Sequence, residues 1–264
     1  MVVVGGVNHD RIWRIDGALA PNARLSFTGP EVRLGGGGFT SGSMLRQLGH
    51  DVVLVASLMQ DSHGRAALDT LRRLGFDTEH VALLPGETPM VEILVDPSGE
   101  RTILHRARPA GNIPSPRLLR RDSDAAYINA WALDPELMAD LEALPIVMTQ
   151  YPLRPVATRP ANILIGSVAD FAGQDAASLW ERGRTVATER LSSLVLTDGP
   201  RPIQLIDREG TRAVPTARKL ELADTTGAGD YFAAAYLHGL LEGLGPADAA
   251  FQASGITAQK LIAR

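Results

Sequence analysis

The chain has 264 residues, a hydrophobic content of 45% and a formal net charge of −4 at pH 7. This length allows one α/β domain with a large core, and the mild acidity offers no basic field for nucleic acid. Cysteine is absent, which excludes disulfides and thiolate chemistry and favours a reducing, cytoplasmic location.

The segments that would direct a chain to a membrane are not expected here. Residues 2–4 are apolar, but no basic stretch precedes them, so we expect no signal peptide. No apolar run reaches the length of a membrane span, so a membrane is not an expected partner.

Residues 2–4 predict a buried strand that leads into Gly5-Gly6-Val7-Asn8-His9-Asp10. The motif G-x-G-x-x-G is absent there, which excludes a dinucleotide-binding turn. Asp10 follows a strand end, where open α/β sheets bind ligands. From the residues alone, a ligand-binding Asp10 and a solvated turn residue are equally favoured.

Four short strands are predicted to leave the main sheet and form a small sheet of their own. They are residues 12–15, 24–27, 90–95 and 102–105. The last two flank Asp96-Pro97-Ser98-Gly99, which is typical of a hairpin turn. We expect residues 11–28 and 89–106 to be insertions within a single domain of residues 1–264. An ordinary surface hairpin is the alternative.

A glycine run, Leu34-Gly35-Gly36-Gly37-Gly38-Phe39-Thr40, precedes a predicted helix that ends at Gly49. Four glycines at a helix entrance favour close approach of the backbone to a ligand, with a flexible loop as the alternative. Asp61 is predicted to cap the next helix, which covers residues 63–74.

The central part of the chain alternates predicted strands and helices. The strands are residues 52–56, 125–129, 146–149 and 163–165, and a helix begins at Asp134-Pro135-Glu136. Asn129 and Trp131 follow a strand end and are candidates to line a pocket, although packing is the favoured role for the Trp. Asp170, after the last of these strands, suits a helix cap.

The C-terminal part contains the most informative string. A strand ends in Thr197-Asp198-Gly199, and a hairpin of residues 203–206 and 211–214 follows. Asp224-Thr225-Thr226-Gly227-Ala228-Gly229-Asp230 then opens a predicted helix of residues 232–244. The first amides of a helix have no intrahelical partner and suit an anion. A carboxylate beside that anion site, Asp230, suits a base that takes a proton from an attacking hydroxyl.

This string resembles the signature of the ribokinase-like (PfkB) carbohydrate kinases, and looser matches run from residue 8 to residue 258. The resemblance implies a three-layer α/β fold with a mostly parallel central sheet, helices on both faces and a small β lid. It also implies a phosphotransferase that moves the γ-phosphate of ATP to an alcohol group of a small carbohydrate.

The resemblance implies roles for individual residues. Asp230 would be the catalytic base, and Gly227, Ala228 and Gly229 would form the anion hole. The substrate would contact Asn8, Asp10, Gly36, Gly37 and Thr40, and ATP would contact Thr197, Gly199, Thr225 and Thr226. Asp170 would hold Mg²⁺ indirectly, and Asp224 would hold a monovalent cation.

Two other functions stay open. Relatives with the same string act on nucleosides, for which Phe39 and Trp131 could supply an apolar shelf. A sensor that binds sugar or nucleotide without turnover is suggested by Thr40, Ser167 and Pro202, which replace the family's Asn, Asn and Gly. A homodimer through open lid edges is a further hypothesis.

Other chemistries are excluded by missing motifs. Neither Lys219 nor Lys260 follows G-x-x-x-x-G, so there is no P-loop. No G-x-S-x-G elbow supplies a hydrolase nucleophile, and the histidines lack metal-ligand spacing.

Overall fold

The fold comes from a computed structural model that describes residues 1–105, 123–130, 133–152, 158–220 and 225–263. Its strands are β1 (Val2–Gly5), β2 (Asn8–Ile15), β3 (Phe27–Gly35), β4 (Val53–Met59), β5 (Val81–Leu84), β6 (Met90–Val95), β7 (Arg101–His105), β8 (Ala125–Asn129), β9 (Ile146–Gln150), β10 (Ile163–Ser167), β11 (Ser193–Asp198), β12 (Arg201–Asp207) and β13 (Gly210–Val214). Its α-helices are α1 (Gly37–Gln47), α2 (Ser62–Arg73), α3 (Pro135–Glu142), α4 (Ala176–Ala187), α5 (Ala228–Leu241) and α6 (Pro246–Ile262). The predicted positions Trp131 and Asp224 lie outside the described residues.

The larger sheet has nine strands in the order β13-β12-β11-β10-β9-β8-β1-β4-β5. Neighbouring strands from β11 to β5 run parallel, and β12 and β13 are antiparallel at one end. The expectation of a mostly parallel sheet is therefore confirmed.

Helices cover both faces of this sheet, and the apolar strand β1 shows why. Side chains alternate across a strand, so neighbouring valines of β1 face opposite layers. Val3 packs in the core cluster that contains Leu45 of α1 and Phe232 of α5. Val2 and Val4 pack in the cluster that contains Leu137 and Leu141 of α3. A continuous apolar run is thus what a strand between two helical layers requires.

The smaller sheet has four strands in the order β3-β2-β6-β7. The β2–β6 pair is parallel and the other two pairs are antiparallel. The predicted strand at residues 24–27 was wrong, because β3 starts at Phe27 and continues to Gly35. Residues 27–32 are exposed on both faces of this edge strand, so no hydrophobic alternation marked it. Likewise β2 begins at Asn8, which places Asp10 in a strand rather than a turn.

The helix ends follow their predicted caps closely. Gly49 has a φ of 92° just after α1, and Asp61 caps α2 by accepting a hydrogen bond from the Gly64 N–H at 2.8 Å. Helix α5 begins at Ala228, four residues before the predicted start, because Gly227 adopts a left-handed N-cap. None of the described helices is long and apolar enough to span a bilayer.

Candidate active site

The carboxyl ends of the parallel strands and one face of the small sheet border a cavity of about 770 Å³. The described residues that the resemblance assigned to catalysis, substrate, nucleotide or metal all line it. They are Asn8, Asp10, Gly36, Gly37, Thr40, Asp170, Thr197, Gly199, Thr225, Thr226, Gly227, Ala228, Gly229 and Asp230. Their roles stay predictions, but positions far apart in the sequence share this cavity.

Asp230 lies in the first turn of α5 and is half-buried. The pKa of its carboxyl is raised to about 6, chiefly by burial, and the negative charge of Asp10 contributes to the rise. A hydrogen bond from Asn129 Nδ2 to Asp230 Oδ1, 3.0 Å long, and the charge of Arg101 oppose that rise. A carboxylate with this pKa is largely ionised at neutral pH and is a stronger base than an exposed Asp.

The start of α5 is shaped by two glycines. Gly227 has a φ of 75°, a conformation that L side chains rarely adopt. A Cβ at Gly229 would meet no atom within 4 Å. Between them, the Ala228 N–H donates to the Thr225 carbonyl at 3.0 Å. An anion that binds the Ala228 N–H therefore has to replace the Thr225 carbonyl as its acceptor. At Gly229 the space that a Cβ would occupy is open.

Asp10 approaches the same cavity from the small sheet. Burial raises the pKa of its carboxyl to about 6, while the charge of Arg33 lowers it. Its position depends on Gly35 of the neighbouring strand, because a Cβ there would lie 2.0 Å from Asp10 Oδ2. The small sheet therefore holds a desolvated carboxylate against a glycine.

The other glycines of the run serve contacts within the chain. A Cβ at Gly36, whose φ is 93°, would lie 2.5 Å from the Gly6 carbonyl oxygen. A Cβ at Gly38 would lie 2.7 Å from the carbonyl carbon and oxygen of Gly5. The expectation that the run admits a ligand is thus incomplete: Gly36 and Gly37 line the cavity, but much of the space serves backbone packing.

The nucleotide side of the predicted site is formed by the ends of β10 and β11. Thr197 pairs with Ser167 in the parallel register, and its Oγ1 donates to the Gly166 carbonyl at 3.2 Å. Asp170 lies in a short 3₁₀ turn, Val168–Phe171, that is capped by Ser167. The helix-cap alternative for Asp170 was therefore wrong, because the cap is Ser167.

Asp170 is the described residue whose chemistry best fits Mg²⁺. Asp170 lines the cavity, and burial raises the pKa of its carboxyl, so a nearby cation would stabilise the charged form. Within the described ranges no cluster of three His, Asp or Glu side chains could hold a metal. A single carboxylate such as Asp170 is compatible with Mg²⁺, which usually keeps several waters and substrate phosphates among its ligands.

Several cavity residues were missed or left undecided from the sequence. Arg101, His105, Gln150 and Arg218 line the cavity, and Asn129, left undecided, does so and contacts Asp230. Asn129 and Gln150 end parallel strands of the large sheet, which was the available indication for these two; Arg218 lies after β13 and carried no such indication. Phe39, a candidate for an apolar shelf in the nucleoside alternative, packs against the core.

Residues 164–261 match the family model described as pfkB family carbohydrate kinase. No significant match was found among curated protein sequences.

Solved structures resemble the chain over nearly its whole length. A nucleoside kinase of Burkholderia thailandensis in complex with inosine is 18% identical, with a TM-score of 0.74, and the match covers 99% of this chain and 91% of that one. A ribokinase of Thermotoga maritima is 18% identical, with a TM-score of 0.75 and coverages of 98% and 92%. Arabidopsis thaliana ribokinase complexed with ribose and ATP is 16% identical, with a TM-score of 0.75 and coverages of 99% and 92%. The ribokinase-like fold and the resemblance to PfkB kinases are thereby confirmed.

Proposed function

We propose that this ribokinase-like chain is a PfkB-type carbohydrate kinase that transfers the γ-phosphate of ATP to a hydroxyl of a small sugar. The observation that carries the proposal is the placement of Asp230. A half-buried carboxylate with a pKa near 6 stands at a glycine-flanked helix start, in the same cavity as Asp10. A base beside an anion site is what attack of a hydroxyl on phosphorus requires.

In this mechanism the acceptor hydroxyl lies between Asp230 and the γ-phosphate. The hydroxyl oxygen forms a bond to phosphorus, the bond from phosphorus to the β–γ bridging oxygen breaks, and ADP leaves. Asp230 takes the hydroxyl proton, late in the reaction, because the transition state is loose and the oxygen becomes acidic only as its new bond forms. Asn8 and Asp10 orient the acceptor, with Gly36, Gly37 and Thr40 beside it.

The nucleotide is assigned to the other end of the cavity. Thr197, Gly199, Thr225 and Thr226 line that end, and the start of α5 at Gly227 to Gly229 receives the phosphates. The Arabidopsis ribokinase was solved with ribose and ATP, which supports the same two ligands here. Mg²⁺, when bound, offsets the charge of the phosphates, and Asp170 would hold it through water. Asp224, proposed for a monovalent cation, lies outside the described residues.

The small sheet is proposed to act as a lid inserted within a single kinase domain. Its side chains Val91, Ile93, Arg101, Ile103 and His105 line the cavity. A sheet in this position excludes water from the transfer, so that ATP is not lost to hydrolysis. Its outer strands β3 and β7 have one partner each within the described sheet, which keeps a lid-to-lid homodimer as a hypothesis.

A nucleoside acceptor is the second candidate, and a specific observation favours it. Val91, Ile93 and Ile103 give the lid an apolar wall toward the cavity, and Ile103 is 48% exposed. Such a wall suits a nucleobase, and the similar Burkholderia kinase was solved with inosine. A sensor without turnover is a third candidate, but it gives no reason to keep the Asp230 carboxylate beside an anion site.

The proposal is tested by ADP release from Mg·ATP across a panel of ketoses, aldoses and nucleosides, with Asp230→Asn as the control. We expect acceptor-dependent ADP release that the substitution abolishes. The best acceptor then separates the sugar kinase from the nucleoside kinase. Thermal stabilisation by these ligands without turnover on any acceptor would contradict the kinase and support the sensor.

A further inference from the structure

The side chain of Asn129 donates a hydrogen bond to the carboxylate of Asp230. Asn129 is the last residue of β8, a strand held between β1 and β9 by parallel pairing. Its Nδ2 donates to Asp230 Oδ1 at 3.0 Å. An ionised carboxylate only accepts hydrogen bonds, so the NH₂ side of the amide has to face Asp230. The carboxylate thus has a directional partner on a rigid strand.

Gly37 leaves the space in which the Asn129 amide lies. A Cβ at Gly37 would lie 2.0 Å from Asn129 Nδ2 and 2.5 Å from its Cγ. Gly37 is the first residue of α1, and its carbonyl accepts a hydrogen bond from the Ser41 hydroxyl. Its backbone is therefore held in the helix and has little freedom to move away. Any side chain at position 37 would displace the Asn129 amide from Asp230.

We propose that Asn129 is the positioning residue for Asp230: its amide fixes the carboxylate toward the acceptor hydroxyl, and the missing side chain at Gly37 permits that hydrogen bond. The proposal rests on the proposed kinase function, because it assigns a purpose to the orientation of the base. Misplacing a reacting group by about 1 Å commonly costs on the order of 10²-fold in rate.

The charged and titratable groups around Asp230 come from several elements. Asp10 of β2 raises its pKa, and Arg101 of β7 lowers it. Tyr127, two residues before Asn129, is fully buried, and burial raises the pKa of its phenol well above the usual value. Tyr127 therefore stays protonated and donates to Gln150 Oε1 at 3.2 Å. The Asn129 amide is uncharged, and its hydrogen bond favours the ionised form of Asp230.

A positioning role and a substrate-binding role for Asn129 predict different kinetics. If Asn129 mainly held the acceptor, its loss would raise the KM for the acceptor. If it positions the base, its loss lowers kcat and moves the acidic limb of the pH profile. Removing a hydrogen bond that favours the carboxylate raises the pKa of Asp230, so the acidic limb moves to higher pH.

The test compares Asn129→Leu, Asn129→Asp and Gly37→Ala with the wild-type chain. We expect kcat to fall about 10- to 100-fold in each. The acceptor KM should stay within about 2-fold in the two Asn129 variants, whereas Gly37→Ala is judged on kcat and the pH profile, because Gly37 also lies beside the proposed acceptor. We expect the acidic limb to move upward by about one pH unit. The double variant Gly37→Ala/Asn129→Leu should be no slower than Asn129→Leu alone, because both changes remove the same contact. Gly245→Ala is the matched control, since a Cβ there meets no atom within 4 Å.

A measurement without turnover separates this proposal from the kinase function. The carboxyl ¹³C signal of Asp230, assigned by its loss in Asp230→Asn, reports the pKa of that group directly. A higher pKa in Asn129→Leu and Gly37→Ala than in wild type is the expected result, whether or not an acceptor is phosphorylated. An unchanged Asp230 pKa in folded variants, or a raised acceptor KM with unchanged kcat, would overturn the positioning role.

Discussion

Asp10 and Asp230 line the same cavity, and the charge of Asp10 raises the pKa of Asp230. They belong to β2 of the small sheet and α5 beside the large sheet, so the cavity joins two carboxylates that no sequence neighbourhood connects. Burial is the largest cause of the raised pKa at each, which is about 6. The proposed mechanism needs Asp230 ionised, and this shared desolvation sets the pH at which it is.

The pH dependence of kcat/KM should therefore show an acidic limb near pH 6. The base acts only when deprotonated, and its raised pKa means that activity is lost as pH falls through about 6 rather than about 4. The check is initial-rate ADP formation between pH 5 and pH 8 with saturating Mg·ATP. A rate that stays constant down to pH 5 would contradict an Asp230 base with this pKa.

Asp10→Asn should move that limb to lower pH. The substitution removes the negative charge that disfavours ionisation of Asp230, so the remaining carboxyl ionises more readily. The same variant should raise the acceptor KM, because Asp10 is proposed to bind acceptor hydroxyls. The acidic limb and the acceptor KM are measured in one series of pH–rate profiles. An acidic limb moved to higher pH would contradict the charge interaction between Asp10 and Asp230.

Asp230→Asn should lose activity and gain stability at neutral pH. Loss of a general base typically costs about 10²- to 10⁴-fold in rate. The folded state binds the Asp230 proton more tightly than the unfolded state does. The ionised carboxyl therefore lowers the free energy of unfolding. This destabilisation is complete above pH 6 and is absent below about pH 4, where the group is protonated in both states.

We expect the free energy of unfolding of Asp230→Asn to exceed that of the wild type by about 1–3 kcal/mol at pH 7.5 and to equal it at pH 4. The measurement is urea unfolding at both pH values. An equal gain at both would show that ionisation of Asp230 is not the cause.

Gly35→Ala should weaken acceptor binding with little effect on ATP. The added Cβ would lie 2.0 Å from Asp10 Oδ2, so the carboxylate has to turn away. We expect the acceptor KM to rise about 10-fold or more, which corresponds to the loss of one hydrogen bond to a charged group. Gly255→Ala, where the nearest atom would be at 3.4 Å, is the matched control. An unchanged acceptor KM would exclude Asp10 from acceptor binding.

Gly227→Ala and Gly229→Ala should affect different properties, stability in the first variant and catalysis in the second. At Gly227 the φ of 75° makes an alanine strained, so we expect a stability loss of about 1–2 kcal/mol. At Gly229 an added methyl meets nothing within 4 Å and enters the space proposed for the phosphate. That variant should fold normally, with kcat lowered on the order of 10²-fold. Thermal unfolding and kcat distinguish the two, and normal catalysis by Gly229→Ala would contradict phosphate binding there.

The central sheet could be predicted because its strands are short apolar runs between turn residues. Strand β8 was predicted at its observed bounds, and β1, β9 and β10 extend one or two residues beyond theirs. The edge strand β3 could not be predicted, because residues exposed on both faces carry no periodic pattern. Strand β5 and helix α4 were not predicted either: β5 is only half-buried, and the buried positions of α4 include a glycine, Gly183.

The location of the site could be predicted from the sequence, but the contacts between its side chains could not. Thr197 stands at the carboxyl end of a strand and Asp230 at a helix start, and the resemblance to ribokinase-like kinases assigned both to one site. The contact of Asn129 with Asp230 and the dependence of Asp10 on Gly35 join residues from different elements. Neither contact is encoded by spacing, because each depends on how the helices and the small sheet pack.

The central claim is direct transfer of a phosphoryl group to an acceptor hydroxyl with Asp230 as the base. Its most direct test is ³¹P NMR of Mg·ATP with wild-type protein and the best acceptor, beside the same mixture with Asp230→Asn. The account predicts a new phosphate monoester resonance that requires the acceptor, grows with ADP and is missing with the variant. Inorganic phosphate and ADP without a monoester, or a monoester formed equally fast by Asp230→Asn, would contradict it.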